Sequence, residues 1–236
     1  HTGPVISSNY FPLASGLLGS MLLREMPELV DIEIFKYPQD LSEAVARQMP
    51  KIVGFTNYSW NCNLAYEYAK HIKELSPETI IVFGGPNYGS VQDEMAWFWE
   101  RYPLIDFYVV KEGENAVIEL VRKLHEVNYD VLQLKQTKTL LGNCHYWWEG
   151  ELITGSDLPR VKSIEELPSP YLDGLMDKFF DGVLIPLIHT TRGCPFKCTF
   201  CTEGADYYNK VAQRISLHEE LHYIAKRIGD VLDLGC

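Results

Sequence analysis

Short apolar runs and amphipathic segments alternate along the first half of the chain. Each run is followed by a polar or glycine-rich loop, and then by apolar residues at helical spacing. The predicted strands are Val5–Ser8, Asp31–Phe35, Lys51–Thr56, Thr79–Phe83 and Ile105–Val110. The predicted helices are Ala14–Glu25, Leu41–Arg47, Leu64–Leu75, Val91–Trp99 and Asn115–Val127. In the third helix, the positions predicted to share one face are Leu64, Tyr68, His71, Ile72 and Leu75.

Five strand–helix units predict a doubly wound, flavodoxin-like α/β domain, whose parallel sheet is covered on both faces. Ligands of such sheets bind beyond the carboxyl ends of the strands, near the point where the strand order reverses. The loops that follow the predicted strands are therefore candidates for a binding site. They are Asn9–Gly16, Thr56–Asn63, Gly84–Ser90 and Lys111–Asn115.

The residue types in these loops allow ligand contacts without requiring them. Gly84 and Gly85 would let a ligand approach the backbone closely, although glycine is also common in turns after strands. The chain contains neither a GxGxxG fingerprint nor a P-loop. Tyr58 and Trp60 could stack on a flat ligand or could be packing residues. Cys62 is interpreted as an inert thiol.

The pattern changes after residue 128. The stretch "HYWWEGELITG" alternates around a Glu-Gly turn and predicts a small hairpin, in which Trp147 and Trp148 pack. The proline-rich, charged stretch "DLPRVKSIEELPSPYLDGL" is typical of a connector between domains. An apolar strand, "GVLIPLIHTT", then leads into a cysteine-rich loop and a helix. The predicted organisation is a domain over 1–128, a linker with a hairpin over 129–182, and the start of a second domain over 183–236.

The cysteine-rich loop, "TTRGCPFKCTFCTEG", carries Cys194, Cys198 and Cys201. In a reducing compartment, clustered cysteines are more often metal ligands than disulfide partners, and we expect the protein to be cytoplasmic. Cysteine thiolates suit zinc or iron–sulfur centres. Structural zinc generally takes four protein ligands. The candidates for a fourth ligand do not lie at a short, motif-like spacing from the three cysteines; they are His189, His218 and Cys144. A [4Fe–4S] cluster on three cysteines would leave one iron open.

The spacing Cys194-x-x-x-Cys198-x-x-Cys201, with the aromatic Phe200 before the last cysteine, resembles the CxxxCxxC motif of radical S-adenosylmethionine enzymes. The strand before the motif and the helix after it are similar to the start of the partial (β/α) barrel of that family. The upstream half resembles the cobalamin-binding domain that often precedes this barrel. The stretches that carry this second resemblance are "VGFTNYSWN", "VFGGPNYG", "YVVKEGE" and "IEELPSPYLDGL".

The resemblance implies three cofactors. The three cysteines would ligate a [4Fe–4S] cluster, and its open iron would bind S-adenosylmethionine, with Phe200 near the adenine. Reductive cleavage of S-adenosylmethionine would give a 5′-deoxyadenosyl radical. The third cofactor would be cobalamin, and the loop residues expected to contact it are Tyr58, Ser59, Trp60, Asn61, Gly84, Gly85, Pro86, Glu112 and Gly113.

The resemblance also implies a reaction, which is methylation of an unactivated carbon or phosphorus centre. The expected partners are a small-molecule or biosynthetic-intermediate substrate and an external electron donor such as flavodoxin or ferredoxin. One alternative is a radical enzyme with a vestigial cobalamin domain that performs hydrogen abstraction or rearrangement. Another is a non-catalytic module that binds zinc or cobalamin.

Two features depart from the family pattern. Many cobalamin domains carry DxHxxG after the first strand, whereas "NYFPLASG" at that place has no histidine. Either cobalamin binds here without a protein imidazole ligand, or this domain no longer binds cobalamin. The chain also ends soon after Cys201, whereas a (β/α) barrel needs roughly 200 residues or more. We therefore expect the sequence to be part of a larger protein.

The composition argues against two classes of partner. Of the 236 residues, 46% are hydrophobic, which is enough for a sizeable core. The formal net charge of -11 argues against binding to nucleic acid or to anionic membranes, which requires basic surface. No apolar run approaches the roughly 20 residues of a membrane span. We therefore expect neither nucleic acid nor membrane as a partner.

Overall fold

The structure is a computed structural model, and it describes residues 9–201, 207, 211–214 and 217–233, without the side chains of 231–233. The chain forms two compact units. One unit is Tyr37–Leu158, and the other combines His1–Lys36 with Pro159–Cys236. The domain boundaries predicted at residues 128 and 182 stay predictions, since a compact unit can join segments that are distant in the sequence.

Helices and strands alternate between residues 38 and 126, as the sequence predicts. The helices are α1 (Leu13–Glu25), α2 (Pro38–Arg47), α3 (Cys62–Leu75), α4 (Gln92–Arg101), α5 (Glu114–Glu126), α6 (Val131–Gln136) and α7 (His218–Asp233). The strands are β1 (Ile52–Thr56), β2 (Ile80–Gly84), β3 (Phe107–Val109), β4 (Cys144–Trp148), β5 (Glu151–Thr154), β6 (Thr191–Arg192) and β7 (Ala212–Gln213).

The unit Tyr37–Leu158 is built on one five-stranded sheet in the order β1-β2-β3-β4-β5. The pairs β1–β2 and β2–β3 are parallel, with α3 and α4 as their crossovers. The predicted hairpin is present as β4–β5, and it extends the sheet because β4 pairs antiparallel with β3. The α/β fold class is therefore confirmed, with a parallel sheet that ends in an antiparallel hairpin.

Large apolar side chains fill the interior of this unit. The fully buried ones include Ile72, Ile80, Ile81, Phe83, Phe107, Leu120, Leu124 and Leu134. The predicted face of α3 is wrong except for Ile72, since the buried residues are Cys62, Ala65, Tyr66, Ala69 and Ile72. The Tyr68 hydroxyl instead donates to the carbonyl oxygen of Pro38 at 2.9 Å. The buried face of this helix thus consists mainly of small and aromatic residues.

Three of the five predicted strands, Lys51–Thr56, Thr79–Phe83 and Ile105–Val110, correspond to β1, β2 and β3. The predicted strand Val5–Ser8 lies outside the described residues. The prediction of a strand at Asp31–Phe35 is wrong, because this segment forms no strand. The side chains of Ile32 and Ile34 instead lie within 3.3 Å of where a Cβ on Gly19 of α1 would be. The apolar residues of this segment thus pack against a helix and not within a sheet.

In the second unit, the proline-rich connector packs against α1. A Cβ on Gly16 would lie 2.2 Å from Met176 Cε and 2.9 Å from Pro170 Cβ, so only glycine fits here. The Phe11 ring stacks on Tyr171, with ring centroids 5.9 Å apart. Tyr171 is fully buried, and its hydroxyl donates to the carbonyl oxygen of Leu187 at 2.9 Å. The connector is thus part of the core of its unit.

The apolar strand predicted over 182–191 is only partly regular. Tyr10 and Ile185 form a parallel bridge, and the two-residue strand β6 pairs antiparallel with β7. Pro186 has no N–H group to donate to a ladder, which limits regular pairing at this point. Among the described residues, no helix combines the length and the apolar character needed to cross a membrane.

Candidate functional site

Three loops of the unit Tyr37–Leu158 begin at one edge of its sheet. The last residue of β1, Thr56, lies opposite Gly84 of β2, and Gly84 lies opposite Val109 of β3. Because these strands are parallel and in register, their carboxyl ends lie side by side. The loops that follow them carry most of the candidate ligand residues predicted from the sequence.

Asn57 connects the loop after β1 to the loop after β2. Its side chain is fully buried, and Nδ2 donates to the Asn87 carbonyl oxygen at 2.8 Å and to the Tyr108 hydroxyl at 3.0 Å. The Asn57 backbone N–H donates to the Gly84 carbonyl oxygen at 2.6 Å. Asn87 donates to Asn57 twice, from its backbone N–H to the carbonyl oxygen and from Nδ2 to Oδ1. The two loops are therefore held together through side chains and backbone.

Tyr108 supports this connection from within β3. Its hydroxyl donates to the carbonyl oxygen of Gly85 at 2.7 Å, and its ring is fully buried. The Tyr88 ring stacks on it, with centroids 4.1 Å apart and planes 17° apart. Burial raises the pKa of the Tyr108 hydroxyl well above its usual range, so the group remains a hydrogen-bond donor at neutral pH.

A side chain on either glycine at this edge would approach the protein's own backbone. Gly85 has a φ of +128°, and a Cβ there would lie 2.7 Å from the Asn57 carbonyl oxygen. A Cβ on Gly84 would lie 3.3 Å from the Val109 carbonyl oxygen. Close approach of two protein loops accounts for Gly85, and contact of these glycines or of the exposed Pro86 with a ligand stays a prediction.

The loop after β1 closes as a compact turn. Asn61 accepts from the Tyr58 backbone N–H at 2.7 Å and donates to the Thr56 carbonyl oxygen at 2.8 Å. The rings of Tyr58 and Trp60 stack on each other at a centroid distance of 4.5 Å, and Trp60 is 52% exposed. Ser59 between them is exposed. The turn thus presents an aromatic surface supported on one side only.

The loop after β3 is fixed by Asn143, which precedes β4. Asn143 donates through Nδ2 to the carbonyl oxygen of Glu112 at 3.1 Å and accepts through Oδ1 from the Leu158 N–H at 2.9 Å. Its backbone carbonyl accepts from the N–H of Val110 at 2.9 Å. Glu112 and the adjacent Gly113 are partly buried. The hairpin therefore shapes the third loop.

His145 on β4 adds a titratable group close to this edge. Its Nδ1 lies 3.3 Å from the Tyr88 hydroxyl, which also accepts from Trp99 Nε1 at 2.9 Å. Burial, and secondarily the charge of Lys111, lowers the pKa of His145 to about 4, while Asp157 opposes the shift. Lys111 and Asp157 form an ion pair. The imidazole is therefore neutral at physiological pH.

The sequence reasoning missed the residues that organise this edge, which are Asn57, Asn87, Tyr88, Tyr108, Asn143 and His145. Asn57 is separated from Asn87 by 30 positions and from Tyr108 by 51 positions. The available signal was an asparagine directly after an apolar strand, because a polar side chain that becomes buried there needs hydrogen-bond partners.

The cysteine loop lies in the other unit and is closed at its base. The pair β6–β7 joins its two ends, and the Arg214 N–H donates to the Thr190 carbonyl oxygen at 2.9 Å. Arg214 Nη1 also lies 2.9 Å from Oε2 of Glu220, a nearly fully buried carboxylate on α7. The base of the loop is thus anchored by backbone and by an ion pair.

Cys194, Cys198 and Cys201 form no disulfides, and Cys194 is partly exposed whereas Cys198 and Cys201 are exposed. Phe200, expected near an adenine, is 91% exposed. Over the described residues, no group of three histidine, cysteine, aspartate or glutamate side chains could hold a metal ion as placed. The donor chemistry fits a thiolate-ligated cluster, and cluster binding would have to draw the thiols together.

Comparison with known proteins identifies a family for the first half of the chain. The B12 binding domain family matches residues 5–121. A 2-(S-pantetheinyl)-carbapenam-3-carboxylate methyltransferase from Streptantibioticus cattleyicolor is 29% identical over 240 residues, which cover 95% of this chain and 33% of that protein. The cobalamin-dependent radical SAM methyltransferase TokK from Streptomyces tokunonensis is 26% identical over 245 residues, with the same two coverages.

Solved structures give the same grouping. The cobalamin-dependent S-adenosylmethionine radical enzyme OxsB, with aqua-cobalamin and S-adenosylmethionine bound, matches with a TM-score of 0.62 and 26% identity. The match covers 92% of this chain and 29% of OxsB. The chain spans about a third of the length of the curated relatives named above. Residues 5–121 therefore belong to the B12 binding domain family, and the chain is a relative of cobalamin-dependent radical S-adenosylmethionine enzymes.

Proposed function

We propose that this chain binds cobalamin through the loops at the carboxyl ends of β1, β2 and β3. The observation that carries the proposal is the match of residues 5–121 to the B12 binding domain, over loops that the structure holds at one sheet edge. Cobalamin, when bound, supplies a cobalt that can carry a methyl group. The chain's own part is to position and shield that cofactor.

The aromatic turn after β1 is suited to a large, flat ligand. Trp60 is backed by Tyr58 and is half exposed, so its open side can stack without rearrangement of the turn. The exposed Ser59 and the partly buried Glu112 and Gly113 offer polar groups at the same edge. His145 is already engaged with Tyr88 and is partly buried, so we assign it no role as a cobalt ligand.

Titration of the 236-residue chain with hydroxocobalamin, followed by absorbance, tests this proposal. We expect saturable binding at one site, and EPR of the reduced complex should show no protein imidazole nitrogen on the cobalt. Trp60→Ala should weaken binding about tenfold, because stacking on an aromatic ring is worth roughly 1 kcal/mol or more. Trp97→Ala is the matched control, since Trp97 is 58% exposed on α4 and lies outside the three loops. Absence of binding by a folded chain would favour the vestigial-domain alternative.

We further propose that Cys194, Cys198 and Cys201 ligate a [4Fe–4S] cluster that binds S-adenosylmethionine. Support comes from their spacing, their accessibility and the absence of disulfides among them. The exposed Phe200 is free to pack on an adenine once the loop closes. Cluster and S-adenosylmethionine, when bound, would together supply a 5′-deoxyadenosyl radical. The anchored base at β6–β7 would keep the loop in register while its tip rearranges.

Anaerobic reconstitution tests the cluster. The chain should hold about four irons and four sulfides, and substituting all three loop cysteines with alanine should abolish them. Cys62→Ala and Cys144→Ala are the matched controls, because both thiols are buried in the other unit and should leave the iron content unchanged. Stoichiometric zinc without sulfide, stable in air, would instead support the zinc-module alternative.

For the whole protein we propose methyl transfer to an unactivated carbon or phosphorus centre of a small molecule, with electrons from an external donor such as flavodoxin or ferredoxin. The curated relatives named above are methyltransferases. Another relative, the anaerobic magnesium-protoporphyrin IX monomethyl ester cyclase of Cereibacter sphaeroides, is 23% identical over 168 residues and favours a second candidate, radical cyclisation or rearrangement.

Product counting with the complete protein and its substrate separates the two reactions. Methyl transfer should give equal yields of S-adenosylhomocysteine, 5′-deoxyadenosine and methylated product, because one S-adenosylmethionine donates methyl and another is cleaved. Cyclisation or rearrangement would give 5′-deoxyadenosine and altered substrate without S-adenosylhomocysteine.

A further inference from the structure

Asn57 and Tyr108 form a polar network inside an otherwise aromatic part of the core. The rings of Tyr88 and Phe98 pack against Tyr108, with centroids 4.1 Å and 5.2 Å away. Burying polar groups among rings is costly unless each is hydrogen-bonded, and an apolar pair of similar shape would fill the same volume. The network therefore needs an explanation beyond packing.

The bonds of this network end on loop backbone. Asn57 Nδ2 reaches the Asn87 carbonyl oxygen, and the Tyr108 hydroxyl reaches the Gly85 carbonyl oxygen. The Asn57 N–H reaches the Gly84 carbonyl oxygen, and the Asn87 N–H reaches the Asn57 carbonyl oxygen at 3.2 Å. Four bonds thus fix the relative position of the first residues of two loops. A buried, fully satisfied network of this kind specifies one conformation.

Neither side chain can contact a ligand at the sheet edge, since both residues are 0% exposed. Their influence on a bound cofactor must therefore pass through the loops that they hold. The loop after β1 carries the aromatic pair Tyr58 and Trp60, and it starts directly at Asn57. A shift at Asn57 would displace that surface relative to the loop after β2.

We propose that Asn57 and Tyr108 are positioning residues that hold the loops 57–61 and 85–91 in the cobalamin-binding conformation before the cofactor arrives. The inference rests on the proposed cobalamin binding. Its consequence is that loss of the network lowers the fraction of binding-competent protein. Apparent affinity and association rate then fall by the same factor, while the dissociation rate is unchanged.

Tyr108→Phe is the sharpest variant, because it deletes one hydroxyl and keeps the ring. Thr79→Val is the matched control. Thr79 is 1% exposed in the same unit, directly before β2, and its hydroxyl likewise makes two bonds, to the Pro50 carbonyl oxygen at 2.9 Å and to Ser76 Oγ at 2.8 Å. Thr79 lies at the start of β2, whereas the loops follow the end of that strand.

The experiment combines amide hydrogen exchange of the cofactor-free chain with stopped-flow binding of hydroxocobalamin. Tyr108→Phe should speed exchange in 57–61 and 85–91, weaken affinity about tenfold and slow association about tenfold. Thr79→Val should change affinity less than twofold. Unchanged loop exchange, equal losses in both variants, or a loss confined to dissociation would overturn the positioning role. If wild-type chain does not bind hydroxocobalamin, the proposed function itself fails, and loop exchange still reports whether the network orders the loops.

Discussion

At the carboxyl edge of the sheet, Asn57 and Tyr108 are fully buried and bonded to loop backbone, whereas in the cysteine loop Cys198 and Cys201 are exposed and Phe200 is 91% exposed. The first region has its loops fixed without a cofactor. The second has a fixed base, at β6–β7, and an open tip. The protein thus prepares its two proposed cofactor regions to different degrees.

The difference follows from the kind of bonds that each cofactor forms with the protein. A large organic cofactor is held by many weak contacts, so a surface that is ordered in advance avoids an entropic cost on binding. A metal cluster forms strong bonds to thiolates, and metal binding can supply the free energy that folds its own loop. Disrupting the first region should therefore destabilise the free protein, and disrupting the second should not.

The largest effect is expected from Gly85→Ala. The φ of +128° disfavours any side chain, and the new Cβ would lie 2.7 Å from the Asn57 carbonyl oxygen. We expect a loss of about 2–4 kcal/mol in the free energy of unfolding, measured by urea denaturation. Gly54→Ala on β1 is the control, because no atom lies within 4 Å of its Cβ position, and its stability should change by less than about 0.5 kcal/mol. Equal stabilities of the two variants would show that the loops are not held tightly.

A smaller effect is expected from acid through His145. Its pKa is lowered to about 4 in the folded chain, below the unfolded value of about 6.5, so the unfolded state takes up the proton first as pH falls. The stability that neutral His145 contributes is complete above pH 6.5 and is lost progressively toward pH 4. For a partly exposed ring we expect about 1–2 kcal/mol.

The measurement compares urea unfolding at pH 7 and pH 4.5 for wild type and His145→Gln. The variant should lose less stability between the two values, because glutamine does not titrate. His71→Gln, on the exposed face of α3, should behave like wild type. A wild-type pH dependence equal to that of His145→Gln would contradict the assignment of a neutral, partly buried imidazole.

Sequence patterns predicted those features that depend on neighbouring residues. The three strand–helix units, the β4–β5 hairpin and the spacing of the three cysteines were all visible in short stretches. The fold class followed from these local repeats. The prediction at Asp31–Phe35 was wrong because Ile32 and Ile34 pack on α1, and a five-residue pattern does not reveal which element covers its apolar side chains.

The organisation of the sheet edge was not predictable in the same way. Asn57, Tyr108 and Asn143 act through partners 15 to 51 positions away, so no short pattern marks them. Gly85 illustrates the limit. Its contact with a ligand stays a prediction, and only the structure shows that a Cβ there would meet the Asn57 carbonyl group. Long-range pairing of buried polar groups becomes visible only in the folded chain.

The smallest effect is expected from removing the thiols of the cysteine loop in the absence of a cluster. Cys198 and Cys201 are exposed and Cys194 is partly exposed, so replacing all three with alanine removes little buried surface. The free energy of unfolding of the cluster-free chain should change by less than about 0.5 kcal/mol. Cys144→Ala provides the contrast, because this fully buried thiol on β4 packs in the core, and its loss should cost about 1–2 kcal/mol. Urea unfolding under anaerobic, reducing conditions measures both variants. A triple variant destabilised as much as Cys144→Ala would mean that the loop is held by its thiols before any cluster binds, and the contrast between the two regions would disappear.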